Sequence, residues 1–289
     1  MKRRIPILFL LPAAAVLFLI AAYPVGFGLW AGFHQWNWAL GQAESWSFIG
    51  LDNYAQVFAN KAFWNSIKVT VTFTAIAVTL QLVLGLGIAI LLHNNVRASW
   101  FFRSAVVFPL MVSDIVAAVI FSTILDPNLG ILNYVLSTVG LPGPNWIGNP
   151  NLVIITLSLV DTWWQTGTII LILLAGMTSI PQDRIDMASI DGASGWRMFV
   201  HITLPALKPF ILVALVFRTI DALRVFALAW AITKGGPLRA TEVSQLYIFK
   251  QGIGGAYNMG YASAAATVFA IFVGLVSGIY LLAMRRQPA

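Results

Sequence analysis

Six long apolar runs, separated by shorter polar stretches, organise the chain. They extend from about Ile5 to Phe33, Lys68 to Leu92, Ser104 to Leu125, Val153 to Met177, Leu207 to Thr233 and Tyr261 to Met284. A helix rises about 1.5 Å per residue, so about 20 apolar residues cross a hydrocarbon layer about 30 Å thick, and every run meets that length. The pattern predicts an all-α polytopic membrane protein with six transmembrane helices. One transmembrane domain would occupy residues 1–289, with a first external loop over 34–67 and a cytoplasmic loop over 177–206. A secretory signal peptide also begins with a basic group such as Lys2-Arg3-Arg4. The length of the first run and the five runs behind it favour an uncleaved helix. The shorter apolar stretch Gly130–Val139 is bracketed by Asp126-Pro127-Asn128 and Pro142-Gly143-Pro144. It is too short to span and is expected to lie at, or dip into, the external surface.

Composition agrees with that pattern. The 289 residues are 59% hydrophobic and only 9% charged, and the mean hydropathy is +0.84. A soluble domain carries about 25% charged residues, so this chain has too few polar side chains to coat a water-exposed surface. The net charge of +7 arises from 17 Lys and Arg against 10 Asp and Glu. Nucleic acid is not the implied partner, because the basic residues collect at the ends of apolar runs, as orientation in a membrane requires. Lys2, Arg3, Arg4, Arg97, Arg103, Arg184, Arg197, Lys208, Arg285 and Arg286 fall on one side. Lys61, Lys68, Lys234, Arg239 and Lys250 fall on the other. The richer side is predicted to be cytoplasmic, and an even number of spans puts both termini there. Cysteine is absent and only three histidines occur. His34, His93 and His201 are scattered, so no metal-ligand cluster is predicted.

Polar groups inside the runs are the first candidates for function. In the fifth run Asp221 stands three residues from both Arg218 and Arg224, so all three can share one helix face. A lone charge in hydrocarbon costs roughly 2.5–3.5 kcal/mol on insertion scales, which calls for partners or a water-lined cavity. A static brace between helices and a pathway or gate element both fit, and a brace that exchanges partners would be both. Asp114 and Asp161 are single carboxylates in the third and fourth runs. Asp161 with Trp163, Trp164 and Gln165 forms a polar and aromatic stretch that suits a sugar-like solute, or else simple helix packing. Gly85, Gly87, Gly274 and Gly278 suggest close helix contacts. The first external loop carries Trp36, Trp38, Trp46, Phe48 and Tyr54, which fit an interfacial anchor or a docking surface.

The cytoplasmic loop holds the most specific pattern. Ser179 can cap a helix whose first turn contains Pro181 and Gln182, Ile185, Ala188 and Ile190 give it an apolar side, and Gly192 can end it. A second short helix is expected from about Ser194 to Ile202, with Phe199 and Ile202 on one face and Leu204-Pro205 breaking it before the next span. Asp186-Met187-Ala188, Asp191-Gly192-Ala193, Phe199, Ile202 and Leu204-Pro205 together resemble the signature loop of permease subunits in bacterial ATP-binding-cassette (ABC) importers. That pattern opens Glu-Ala-Ala; here Asp186 is one methylene shorter and Met187 is larger. Elsewhere Tyr23-Pro24, the segment Phe48-Ile49-Gly50-Leu51-Asp52-Asn53-Tyr54, Phe108-Pro109, Arg218, Asp221, Arg224-Val225-Phe226 and Thr233-Lys234-Gly235-Gly236-Pro237 look like the sugar-importer branch. Lys234 stands where a small residue is usual. The resemblance covers nearly the whole chain and is to the maltose-importer type, first permease of a pair.

The resemblance implies a type I ABC importer permease fold in a bacterial inner membrane. It implies a second homologous permease, two ATP-binding subunits, an external solute-binding lipoprotein and surrounding lipid as partners. The cargo would be a disaccharide, oligosaccharide, polyol or glycerol phosphate. Asp186, Ala188, Asp191, Gly192, Ala193, Phe199, Ile202, Leu204 and Pro205 would form the ATPase-coupling loop. Gly192 would allow the close turn, Ala193 the close approach, and Phe199 and Ile202 would fasten the loop to the bundle. The chain contains no Gly-rich phosphate loop ending Lys-Ser/Thr, so ATP and Mg2+ belong to the partner and the chain itself is not an enzyme. The competing readings are a single-component ion-coupled secondary transporter using Arg218, Asp221 and Arg224, a membrane-bound enzyme, and an importer of peptide or metal.

Overall fold

The computed structural model describes residues 12–14, 16–38, 46–94 and 99–285. Ile5 and the basic residues Lys2, Arg3, Arg4, Arg97 and Arg286 lie outside the described residues. In chain order the helices are α1 (Tyr23–Gly32), α2 (Asp52–Ala59), α3 (Lys61–Asn94), α4 (Ser99–Val107), α5 (Asp114–Ile124), α6 (Ile131–Thr138) and α7 (Val153–Thr178). They continue as α8 (Gln182–Ile190), α9 (Gly195–Met198), α10 (Leu204–Leu223), α11 (Ala227–Thr233), α12 (Ser244–Gly252) and α13 (Met259–Arg285). Among the described residues five helical stretches are long and apolar enough to span: Pro12–Gly32, Lys61–His93, Val153–Thr178, Gly195–Leu223 and Met259–Met284. Taken as one span, the broken pair Phe101–Met111 and Asp114–Ile124, bent by 96°, supplies the sixth.

Two compact units divide the chain, Met1–Asn65 with Ser244–Phe272, and Ser66–Val243 with Val273–Ala289. In the first, the two-residue strands β1 (His34–Gln35) and β2 (Ser47–Phe48) pair antiparallel within the expected first external loop. The buried Asn53 amide donates to the carbonyls of Gly32 at 3.0 Å and His34 at 2.9 Å, supplying partners to the end of α1. Asn60 starts α3 by accepting from the Ala62 amide at 2.9 Å. Its side-chain nitrogen donates to the Tyr261 hydroxyl at 3.0 Å, which meets the Tyr247 hydroxyl at 2.7 Å.

In the second unit α7 is the most deeply packed element, buried along most of its length. Its C-terminal half joins α3 and α10 in a core of Ala89, Leu92, Ile169, Ile170, Leu173, Leu174, Met177, Leu207 and Ala214. Gly85 lets α3 approach α7, since a Cβ there would stand 2.8 Å from Ile169 Cγ2. Gly176 does the same for α10, where a Cβ would meet Phe210 at 2.6 Å. Gly87, Gly274 and Gly278, expected to mark close contacts, face open space within this chain.

Three boundaries differ from those expected. The third span is not straight: Pro109 cannot donate a helical hydrogen bond, the chain passes into extended backbone at Val112, and Ser113 restarts a helix at Asp114. Leu204-Pro205 does not break the fifth span. One π-helical turn, Phe199–Thr203, absorbs it, with the Leu204 N–H reaching the Phe199 carbonyl, so the helix runs unbroken from Gly195. That span stops at Leu223 rather than Thr233, where Arg224 N–H turns back to the Asp221 carbonyl at 3.0 Å. The unusual Lys234 has a simple cost: it occupies the left-handed position after α11, at φ 51°, which a glycine fills without strain.

Candidate functional site

A polar cluster joins three spans inside the second unit. Arg218 on α10 is 2% exposed, Asp161 on α7 is 4% exposed and Gln81 on α3 is fully buried. Arg218 Nη2 donates to Asp161 Oδ2 at 3.0 Å, and Arg218 Nε donates to Gln81 Oε1 at 2.8 Å. The Gln81 side-chain nitrogen donates to Asp161 Oδ2 at 2.8 Å and to the Asp161 carbonyl at 3.2 Å. Arg218 Nη1 donates to Asp221, whose side chain is 64% exposed. One guanidinium therefore links a sealed carboxylate to an open one. Next to it, the Thr219 and Tyr280 hydroxyls meet at 3.0 Å and tie α10 to the end of α13.

The structure divides the expected charged face. Arg218 and Asp221 pair, whereas Arg224 lies beyond the helix end, is exposed and makes no ion pair among the described residues. Phe217, Asp221 and Arg224 are the exposed positions of α10's last two turns and its cap. A carboxylate open on a spanning helix is too costly against lipid, so this stripe belongs on water, solute or protein.

The other candidates separate as helix geometry requires. Asp161 turns inward to Arg218, Trp164 Nε1 donates to the Val112 carbonyl at 3.0 Å and secures the bend of the third span, and Trp163 packs edge-on against Phe121 with ring centres 5.1 Å apart. Gln165 is half-buried and accepts from Thr168 at 3.4 Å. These four do not form one surface within the chain. Asp114 begins α5 and accepts from the Ile115 amide at 2.8 Å. Gln81 was not expected: it is one amide in an apolar run, and that isolation was its only sequence signal.

The loop after α7 is the second candidate. Ser179 does not cap α8; its hydroxyl donates to the Gly176 carbonyl at 2.7 Å and closes α7, and Pro181 precedes α8. The end of α8 is closed as Gly192 permits, with φ +72°, Gly192 N–H on Ser189 at 3.2 Å and Ala193 N–H on Ala188 at 3.0 Å. Asp186 accepts from Gln182 at 3.1 Å, and Asp191 ends the helix with its amide on Met187. The apolar side is split. Ile185 and Ala188 are half-buried toward the chain, while Met187 at 58% and Ile190 at 85% stand outward. Trp196 is exposed with its ring 5.6 Å from Phe199. Phe199, Ile202 and Leu204 are half-buried, and Pro205 is exposed. Behind α8 lies a cavity of about 550 Å³, lined by Ile90, Met177, Ile185, Met198, Phe199 and others.

With both sites in view, comparison with known proteins is decisive. The profile of the binding-protein-dependent transport system inner membrane component family matches residues 81–286. The chain belongs to that family. It is 36% identical over 260 residues to the trehalose/maltose transport system permease protein MalF of Thermococcus litoralis, covering 90% of this chain and 87% of that protein. Identity to the sulfoquinovosyl glycerol transport system permease protein SmoG of Agrobacterium fabrum is 34%, over 99% of this chain and 92% of the relative. The trehalose transport system permease protein SugA of Mycobacterium tuberculosis shares 32%, over 97% and 88%. A solved bacterial alginate ABC transporter, in complex with an alginate pentasaccharide-bound periplasmic protein, superposes with a TM-score of 0.83 at 25% identity, covering 96% of this chain and 93% of that one. Both the intramembrane cluster and the loop lie inside the matched family region.

Proposed function

We propose that the chain is a translocation subunit of an ATP-driven importer, carrying a sugar or sugar-like solute delivered by an external binding protein. The observation that carries this reading is membership of the permease family together with sugar-permease relatives along almost the whole length. A second permease completes the pathway, and two ATP-binding subunits hydrolyse ATP with Mg2+. Both termini face the cytoplasm, and residues 177–206 face the ATPase.

Mechanically, α8 is a short helix with a fixed end, and its outward Met187 and Ile190 offer apolar contact to an ATPase groove. Closure of the ATPase pair displaces the loop. The unbroken helix from Gly195 to Leu223 passes that displacement along roughly 40 Å to the Arg218–Asp221 end. The cavity behind α8 leaves room for the loop to move. ATP-bound and ATP-free partners favour different loop positions, which is a population shift between outward and inward states. Arg218, Asp221 and Arg224 mark the solute path or its gate; Asp161 holds Arg218, and Trp163, Trp164 and Gln165 lie on the adjoining helix.

Deletion of the gene, with uptake of radiolabelled trehalose, maltose and other saccharides compared before and after, tests the reading. Loss of uptake of at least one, restored by the intact gene but not when the partner ATPase is inactivated, is expected. Solute movement by the purified chain alone, without nucleotide, would overturn it in favour of an ion-coupled carrier.

A further inference from the structure

We propose that Gln81 is a positioning residue for solute recognition: it turns the Arg218 guanidinium so that Nη1 holds the Asp221 carboxylate toward the path. The inference rests on the proposed importer function and on Asp221 lying in its path. A guanidinium beside a carboxylate favours a two-pronged fork, with two nitrogens on two oxygens. Asp161 does not receive that fork. Gln81 Oε1 occupies Arg218 Nε at 2.8 Å, and Asp161 accepts Nη2 on Oδ2 at 3.0 Å. The same Oδ2 accepts the Gln81 amide at 2.8 Å. Gln81 thus stands where the second prong of a fork would bond, and its amide orientation is fixed from both sides. Its nitrogen must face the carboxylate and its oxygen the guanidinium.

This arrangement sets rotation about the end of the arginine side chain. With Nε tied to α3 and Nη2 to α7, Nη1 has one direction left, toward Asp221 one turn along α10. Remove the Gln81 oxygen and the guanidinium is free to fork onto Asp161, withdrawing Nη1. Asp221, 64% exposed, then loses the contact that restrains it. A buried amide in an apolar run is costly unless each polar atom is satisfied, and Gln81 satisfies its atoms on these partners. Gln81 is a positioning residue because it reaches the path only through Arg218.

The test uses the complete importer, with its second permease, ATPase and binding protein, in proteoliposomes. Trehalose, maltose and sulfoquinovosyl glycerol are offered, and the one carried fastest by the wild type is the probe. Gln81→Met is expected to raise the transport KM about tenfold, the scale of one charge-assisted hydrogen bond, with turnover at saturation and the yield of assembled complex retained. In an Asp221→Asn background the same change should add no further rise. A lower yield with unaltered KM would make Gln81 a structural strut only, and additive effects would show that it does not act through Asp221. If Asp221→Asn leaves KM unchanged, the placement of Asp221 in the path fails, and the inference with it. If the wild type carries none of the three, the sugar-import reading itself is overturned for these solutes.

Discussion

Removing Arg218 should unseat the second unit far more than removing its exposed partner. In Arg218→Met the side chain keeps much of its apolar length but loses its bonds to Gln81, Asp161 and Asp221. Asp161 is then a carboxylate 4% exposed with only the Gln81 amide to answer it. Breaking a buried ion pair from one side costs about 3–5 kcal/mol, because the remaining charge stays desolvated. At roughly 2–4 °C per kcal/mol for chains of this order, the thermal midpoint should fall on the order of 10 °C. Asp221→Asn removes a carboxylate whose side chain is 64% exposed, where a pair is worth at most about 1 kcal/mol, so its midpoint should scarcely move. The double variant Asp161→Leu/Arg218→Met removes both buried charges and should recover part of the loss, since an apolar replacement of a whole buried pair is often neutral; the remaining cost is the buried Gln81 amide, left with the backbone carbonyl of residue 161 as its one surviving partner of those above. The assay is the thermal midpoint of the fluorescently tagged chain within its assembled complex in mild detergent. A double variant as unstable as the sum of its single changes would refute the reasoning, and so would an Arg218→Met midpoint equal to wild type.

Gly85→Leu should cost about 1–3 kcal/mol of stability through overpacking and so lower the same midpoint, because its Cβ would stand 2.8 Å from Ile169 Cγ2; Gly87→Ala, with nothing within 4 Å, should not lower it. Gly192→Val places a β-branched residue at φ +72°, a strain of about 1–2 kcal/mol or more at the end of α8, and should abolish solute-stimulated ATP hydrolysis while the subunits still copurify. Asp126 accepts the Leu129 and Asn128 amides at 2.8 Å each, and these bonds hold its carboxyl below the ordinary value. A depressed folded value means stability present above the ordinary carboxylate value and lost as pH falls through the folded one. The turn 126–129 should therefore loosen only below about pH 4, read as faster amide hydrogen exchange at Asn128 and Leu129, and Asp126→Asn should remove that pH dependence.

The spans were legible because lipid demands long apolar runs, and the end of α8 was legible because Gly192 supplies a left-handed turn. What was hidden depended on distant partners or on missing stop signals. Gln81 meets Asp161 across 80 residues and Arg218 across 137, and no local pattern encodes either pairing. Asp161 read as part of a stretch with Trp163 and Trp164, yet successive helix positions point about 100° apart, and tertiary contacts sent each to a different neighbour. Pro205 read as a break because one proline normally interrupts a helix; a π turn just ahead of it removed the conflict. The end at Leu223 had no glycine or proline to announce it. Pro109 followed by Ser113 and Asp114 did carry the signal of the bent third span, and the length of the apolar run concealed it.

Gentle-detergent copurification of the chain from its native cells, with subunit masses and ATPase activity recorded with and without saccharides, bears most directly on the importer reading. A second permease and two copies of an ATPase are expected to copurify, with hydrolysis that rises when binding protein and solute are added together. A single-component protein that moves solute without nucleotide would contradict that reading.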